Sequence, residues 1–332
     1  MQSSGKPRVF SGIQPDASPH LGNYLGAIRN WVRNQDRYEN IFCIVDLHAI
    51  TMPQDPAKLR EYTLELAAIY LASGIKEDQA IFVQSHIPAH AELAWIFDCF
   101  TPVGWLERMI QFRERTATHG RERVGAGVLI YPALQAADIM LYDTKYVPVG
   151  EDQRQHIEYT RDIGQRMNQR FGDILVLPEP LIEKAGAEIK GLDDPEKKMS
   201  KSIARDNPGH AIFMLDPPEV IRRKLARAQT DAEPAVTFPA GAGVRNLLEI
   251  YRTINDKDWT EVEHEFAGKS YSVLKAAVAD AVIEALTPIQ QRYRELRSDD
   301  AALRQHLRGA AERLTPTANS TLRRVQEAVG LR

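Results

Sequence analysis

The chain has 332 residues, of which 43% are hydrophobic and 26% charged, with a formal net charge of −3. That length exceeds the usual reach of one hydrophobic core, so two domains are expected, and the composition is that of an ordinary globular protein, not a disordered one. A slightly acidic balance excludes a protein that coats nucleic acid nonspecifically through a large cationic surface, while leaving room for a local basic patch.

The amino terminus carries no apolar run of signal-peptide length, and no later window approaches the roughly 18 uncharged apolar residues of a membrane span. A cytoplasmic protein with no membrane partner is expected. Cys43 and Cys99 each lie in an apolar stretch far from any CxxC spacing. Both are read as buried, reduced thiols, with no zinc site and no disulfide framework.

Residues 8–13 form a short apolar run that holds Gly12 and leads to Pro15, which predicts a buried strand entering a loop. From Gly22 the pattern turns helical, with Tyr24, Leu25, Ile28 and Val32 spaced for one buried face. Residues 41–45 predict a second strand ending at Asp46, and 56–73 a helix stopped at Gly74; further strands are predicted at 80–84 and 145–149. Strands alternating with helices argue for an α/β fold with a Rossmann-like, doubly wound parallel sheet.

After about residue 206 the strand pattern gives way to helices predicted at 218–228, 244–254, 273–296 and 301–314, with Pro208, Pro217 and Pro218 at the transition. The expected organisation is a catalytic domain over 1–206 and a C-terminal α-helical domain over 207–332, without internal repeats. Ligands of doubly wound sheets sit beyond the carboxyl ends of the strands near the topological switch point. Chemistry is therefore expected at 12–23, 46–48 and 149–153.

Three loops carry residue types suited to a nucleotide. Lys198, Met199, Ser200, Lys201 and Ser202 place two ammonium groups and two hydroxyls where one loop could meet a triphosphate whose leaving group gains negative charge. Pro19, His20, Leu21, Gly22 and Asn23 bring a glycine, which permits close backbone approach, to a helix start that favours phosphate. Gly150, Glu151 and Asp152 follow a predicted strand, where a carboxylate and glycine backbone suit a ribose. Each alone reads as a solvated loop, a cap with a turn, or a polar turn.

In this order along the chain, the three loops together resemble those of class I aminoacyl-tRNA synthetases. The blocks FSGIQP (10–15), HLGNY (20–24), CIVDLHAIT (43–51), AADIMLY (136–142) and PVGEDQRQH (148–156) narrow the resemblance to the bacterial tryptophanyl-tRNA synthetase family. With KMSKS they cover most of the expected catalytic domain, and the likeness continues more weakly into the helical half. The tyrosine enzymes share the fold and loop plan but usually differ at AADIMLY and GEDQRQH.

The resemblance implies a tryptophan–tRNA ligase that activates L-tryptophan with Mg²⁺-ATP, releases pyrophosphate, and transfers tryptophan from the adenylate to the terminal ribose of tRNA(Trp). It assigns Lys198 and Lys201, with His20 and Asn23, to catalysis. Gln14, Pro15, Asp16, Gly22 and Asn23 would line ATP, with Gly150, Glu151 and Asp152 on the ribose, Ile189 near the adenine, and Met199, Ser200 and Ser202 completing the phosphate loop. No carboxylate cluster suggests a dedicated protein metal site, so magnesium would be held by phosphate and water.

By the same resemblance Asp138 would accept the indole N–H, and a substrate without that donor would leave the carboxylate unpaired. Phe10, Gly12, Val45, His48, Val147, Val149 and Gln153 would complete the tryptophan pocket, although core packing explains its apolar members equally well. Gln135 stands where the family often has methionine. Three residues before Asp138 on a helix, it shares a face with it, so both could reach the indole edge. His20 likewise replaces a hydroxyl residue of many bacterial relatives.

Arg115 is a further candidate for contact with ATP. The helical half would recognise the anticodon, and Arg222, Arg223, Lys224 and Arg227 form a basic cluster on one predicted helix. Such a cluster would position tRNA phosphates or be a solvated face. Family members are homodimers, and the aromatic segment 95–105 could contribute to that contact or to the core.

Overall fold

A computed structural model describes residues 5–148, 154–181 and 188–332. Val149, Gly150, Glu151, Asp152 and Gln153, expected at the ribose and tryptophan sites, lie outside the described residues.

Five parallel strands form one sheet in the order β3-β2-β1-β4-β5. They are β1 (Arg8–Ile13), β2 (Glu39–Ile44), β3 (Ala80–Val83), β4 (Tyr146–Pro148) and β5 (Glu179–Leu181). Strand order reverses at β1, which pairs with β2 on one side and β4 on the other, so the switch-point crevice opens beside the carboxyl end of β1. β3 is buried along its whole length, as expected of a strand covered on both faces. The three-residue β5 is an edge strand with Pro180 at its centre, too short and too proline-disrupted to leave a sequence signal.

The helix expected from Gly22 begins one residue earlier. His20 caps α1 (Leu21–Asn23), which runs through a π-helical turn (Tyr24–Ile28) into α2 (Arg29–Asn34). After β2 come α3 (Asp46–Ala49) and α4 (Pro56–Ala72), the latter with Asp55 accepting from the amides of Ala57 and Lys58. That side chain supplies partners for two otherwise orphaned donors. Between β3 and β4 lie α5 (Ala89–Phe100), α6 (Val103–Leu106), α7 (Ile110–His119) and α8 (Ala126–Met140). α9 (Arg154–Phe171) precedes β5.

The rest is helical, as expected: α10 (Lys201–Asp206), α11 (Pro218–Ala226), α12 (Ala242–Ile254), α13 (Trp259–Phe266), α14 (Tyr271–Arg297) and α15 (Asp300–Val329). α15 runs past Pro316, beyond the predicted end at residue 314. An interior proline costs about 3 kcal/mol. The stripe Leu314, Ala318, Leu322 and Val325 packs into the core on either side of it and offsets that cost.

Two apolar clusters flank the sheet. One gathers Leu25, Phe42, Ile44, Tyr70, Ile81 and Val83 with Leu274 and Val278 of α14. The other gathers Phe10, Cys43, Phe82, Leu93, Phe97 and Ala136 with Leu314 and Val325 of α15. Both therefore join the sheet to the C-terminal helices.

Two expectations are corrected here. Cys43 is buried, but Cys99 is exposed: α5 is amphipathic, and Glu92, Trp95 and Cys99 recur at the spacing of its outer face. The basic cluster also divides. Lys224 turns inward, donating to the Ala211 carbonyl at 2.7 Å and to Asp216 at 2.7 Å, while Arg222 pairs with Asp280 on the outside.

Candidate active site

A cavity of about 390 Å³ opens at the switch point. Its wall includes Phe10 and Gly12 of β1, Gln14 beyond it, Val45 and His48 after β2, Gln135 and Asp138 of α8, and Val147 of β4. All the expected tryptophan-pocket residues that are described thus meet in one place. Gly12 is closely packed there: a β-carbon on it would stand 3.0 Å from the Val45 side chain.

Asp138 is 1% exposed and sits at the deep end of a hydrogen-bond network. Its Oδ2 meets His48 Nε2 at 2.8 Å, and its Oδ1 accepts from Gln84 Nε2 at 2.6 Å and meets His90 Nδ1 at 2.6 Å. Burial opposes ionisation, but the bonds from His48 and His90 outweigh it and hold the carboxyl below its ordinary range. A carboxylate has about four acceptor positions. Three are taken, which leaves one on Oδ2.

Gln84 and His90 were not anticipated from sequence. Gln84 is fully buried; its carbonyl accepts the Leu47 amide at 3.0 Å while its amide holds Asp138, so it ties β3, α3 and α8 together. His90 continues the chain to the Tyr142 hydroxyl at 2.7 Å. The available signal was a glutamine and a histidine closing apolar runs in AIFVQSHIPAH. Buried polar side chains in such runs need built partners.

Tyr131 was also missed. It lies one helical turn before Gln135 on the same face of α8, lines the cavity, and its hydroxyl meets His156 Nε2 at 2.6 Å. Gln111 and Arg115, one turn apart on α7, line the cavity too. Arg115, the further candidate for contact with ATP, thus lies on the wall of this cavity. Among the described residues the Gln135 amide forms no side-chain hydrogen bond, and it is half-buried in the cavity wall.

Beside the cavity the glycine loop and the lysine loop meet. His20 accepts the Asn23 amide on Nδ1 at 3.2 Å, and Asn23 Oδ1 accepts the His20 amide at 3.0 Å, a reciprocal cap. With Nδ1 accepting, the neutral ring carries its proton on Nε2. Burial, then the charges of Lys201 and His210, push the His20 pKa down to about 4 against the opposing pull of Asp16. Gly22 packs under this ring: a β-carbon there would lie 3.0 Å from His20 Nδ1 and 3.6 Å from the Met199 side chain. The loop is braced from behind by the 212–214 segment, through Leu21 N–H to Ile212 O at 2.8 Å and Met214 N–H to Pro19 O at 2.9 Å.

Lys201 reaches across to this loop, donating to Asp16 at 2.8 Å and to the Gln14 carbonyl at 3.3 Å. Lys198 pairs with Glu188 at 3.3 Å. The Ser200 and Ser202 hydroxyls are 2.7 Å apart. Met199 is buried with Ile189 in the core, and its amide donates to the Ile189 carbonyl at 3.0 Å. These two apolar side chains anchor the loop, and neither lines the cavity. Pro15 is buried at the turn between β1 and the histidine loop. Among the described residues no group of three or more His, Cys, Asp and Glu side chains is arranged to hold a metal ion.

Residues 2–287 match the family described as tRNA synthetases class I (W and Y). A tryptophan–tRNA ligase of Wolinella succinogenes is 50% identical over 328 residues, covering 98% of this chain and 99% of its own. Among solved structures, tryptophanyl-tRNA synthetase from Mycoplasma pneumoniae superposes with a TM-score of 0.88 at 32% identity, covering 98% of each chain. The enzyme from Campylobacter jejuni complexed with ADP and tryptophan gives a TM-score of 0.82 at 30% identity, over 97% of this chain and 99% of that one.

Proposed function

The chain belongs to the class I tRNA synthetases of the tryptophan and tyrosine group, and from that premise we infer that it is a tryptophan–tRNA ligase. It activates L-tryptophan with ATP to the adenylate, releasing pyrophosphate, and then loads the terminal ribose of tRNA(Trp). The observation that carries this reading is a cavity at the switch point with one acceptor position left on a buried carboxylate, adjoining a lysine loop.

Tryptophan enters that cavity with its indole between Phe10, Gly12, Val45 and Val147. Its N–H meets the remaining Oδ2 position of Asp138, with the carbonyl of Gln135 one turn away as a second acceptor. His48 and His90 keep the carboxylate ionised, and Gln84 helps to fix it, so recognition costs little reorganisation. A side chain with no donor at that depth would leave the buried acceptor unpaired. Val149 and Gln153 complete the pocket by family likeness.

ATP enters as its magnesium complex, the ion carried by phosphate oxygens and water. Gln14, Asp16, Gly22 and Asn23 line it, Gly150 to Asp152 take the ribose, and Ile189 and Pro15 support the surrounding backbone. In-line attack by the tryptophan carboxylate on the α-phosphorus makes the acyl–phosphate bond and breaks the bond to pyrophosphate. The residues contribute position and charge. Lys198 and Lys201 exchange Glu188 and Asp16 for phosphate oxygens, while neutral His20 donates from Nε2. Ser200 and Ser202 shape the loop between the lysines.

The helical part, 207–332, serves as the anticodon-binding domain, with Arg222, Arg223 and Arg227 on its outer face. The enzyme works as a cytoplasmic homodimer, the dimer reading being supported by exposed Trp95, Val103 and Ile110. The test is ATP–pyrophosphate exchange with purified protein. Exchange dependent on L-tryptophan and followed by charging of tRNA(Trp) is expected; exchange driven by tyrosine instead would overturn the assignment.

A further inference from the structure

One buried histidine has no part in that scheme. His210 is 0% exposed, and its ring joins two segments that flank the lysine loop. Nδ1 lies 2.5 Å from Asp193 Oδ1, and Nε2 lies 3.1 Å from the backbone carbonyl of Lys198. A peptide carbonyl has no proton to give. The Asp193 carboxylate is marked as an acceptor on its other oxygen as well, where Asn207 Nδ2 donates at 2.6 Å. An imidazole with one proton can satisfy only one of these two acceptors; the ring bonds both only with a proton on each nitrogen.

The site around the ring is built for it. A β-carbon on Gly191 would overlap the His210 ring, so the seat exists because residue 191 has no side chain. The Leu192 amide donates to the His210 carbonyl at 3.0 Å, and the His210 amide donates to the Asn207 carbonyl at 2.9 Å. Among the described residues the titratable groups facing the ring are Asp193 and Asp194 from the preceding turn and His20 from the glycine loop, while Lys198 presents its main-chain carbonyl. Asp193 provides the counter-charge at contact distance.

We propose that the His210 imidazolium is a positioning residue for tryptophan activation, holding the backbone at Lys198 so that this ammonium is aimed at the leaving pyrophosphate. The inference rests on the ligase reading above. It adds to how the two lysines are held: Lys201 is placed by its own side-chain contacts to Asp16 and Gln14, whereas Lys198, whose ammonium pairs with Glu188, is fixed through its main chain as well. A long, flexible side chain ending in a point charge loses effectiveness unless its root is fixed.

Two measurements test this, and they fail separately. The first is ¹⁵N NMR of histidine-labelled protein, with the His210 signals assigned by their loss in His210→Phe. Both ring nitrogens are expected in the protonated range at neutral pH, and a ring with one bare nitrogen overturns the proposal whatever the enzyme's substrate. The second is tryptophan-dependent ATP–pyrophosphate exchange, in which wild-type activity is the control for the ligase reading itself.

In exchange, His210→Phe is expected to lower kcat about tenfold with the KM for tryptophan unchanged, and to add less than about twofold in a Lys198→Ala background. An unchanged kcat, or the same loss in both backgrounds, overturns the proposal. Should His210→Phe fail to fold, Asp193→Asn decides. A lowered kcat with loss of the second ring proton supports the proposal, and wild-type kcat in that variant overturns it.

Discussion

The charge state of His20 offers a quantitative test of how the histidine loop is built. Its pKa falls from 6.5 to about 4, first through burial and then through the charges of Lys201 and His210. The unfolded chain therefore binds a proton between those two values that the folded chain does not. Where the unfolded state holds more protons, stability rises with pH. The contribution is thus complete above 6.5 and is lost as pH falls through the window toward 4. At about 1.36 kcal/mol per pKa unit the full window is worth about 3 kcal/mol, and the part lost between about pH 7.5 and about pH 5 is about 2 kcal/mol. His20→Asn keeps a capping side chain and removes the titration. In urea unfolding at those two pH values, wild type should lose about 2 kcal/mol more on acidification than His20→Asn. In NMR titration the His20 ring should stay neutral down to about pH 5, and Lys201→Met should raise its midpoint. A midpoint near the ordinary histidine value, or equal acid sensitivity of the two proteins, would refute both the neutral ring and its role as an Nε2 donor.

Three further predictions follow from the same geometry. Lys201→Met should slow exchange about 100-fold, the usual consequence of removing one preorganised group from developing charge, with tryptophan affinity by calorimetry little changed. Gln135→Met should raise the KM for tryptophan about threefold to tenfold, the worth of one net hydrogen bond, and leave the KM for ATP alone. An unchanged tryptophan KM would give the indole to Asp138 alone. Asp138→Ala strands the donors of His48, Gln84 and His90 and should cost about 3 kcal/mol or more of stability, read as a lowered midpoint in urea; wild-type stability would mean the network is not a closed one.

The sequence carried the fold because each strand of the parallel sheet, β5 excepted, is a compact apolar run and each loop at its carboxyl end bears unusual polar residues. Helix extents were less legible where packing overrides local preference, as at Pro316 in α15. The pocket was legible through Phe10, Gly12, Val45, His48, Gln135, Asp138 and Val147, which family likeness selected and the cavity brings together. Gln84 and His90 were not, since their importance lies in contacts to Asp138 across 54 and 48 residues of chain. Lys224 misled for the related reason that charge on a helix does not reveal direction. Its ammonium braces the segment behind the histidine loop through Ala211 and Asp216.

The long-range bonds also explain why the candidate catalytic charges sit on loops and yet are held in place. The contact between Lys201 and Asp16 spans 185 residues, and the Lys224 ammonium holds the 211–216 segment, whose Phe213 pairs with His20 in an isolated bridge. With His20 neutral, the ammonium groups of Lys198 and Lys201 are each balanced by a carboxylate, Glu188 and Asp16. On the proposed reading an arriving triphosphate would displace those carboxylates. Because the displaced groups remain within the same loops, their repulsion from phosphate opposes tight ground-state binding, while charge accumulating on the leaving pyrophosphate strengthens its attraction to the lysines. Interactions that grow toward the transition state raise kcat, whereas equal binding of both states does not. Asp16→Asn should therefore tighten ATP binding, seen as a lower KM, without raising kcat in proportion; a raised KM would assign Asp16 to direct support of the nucleotide instead.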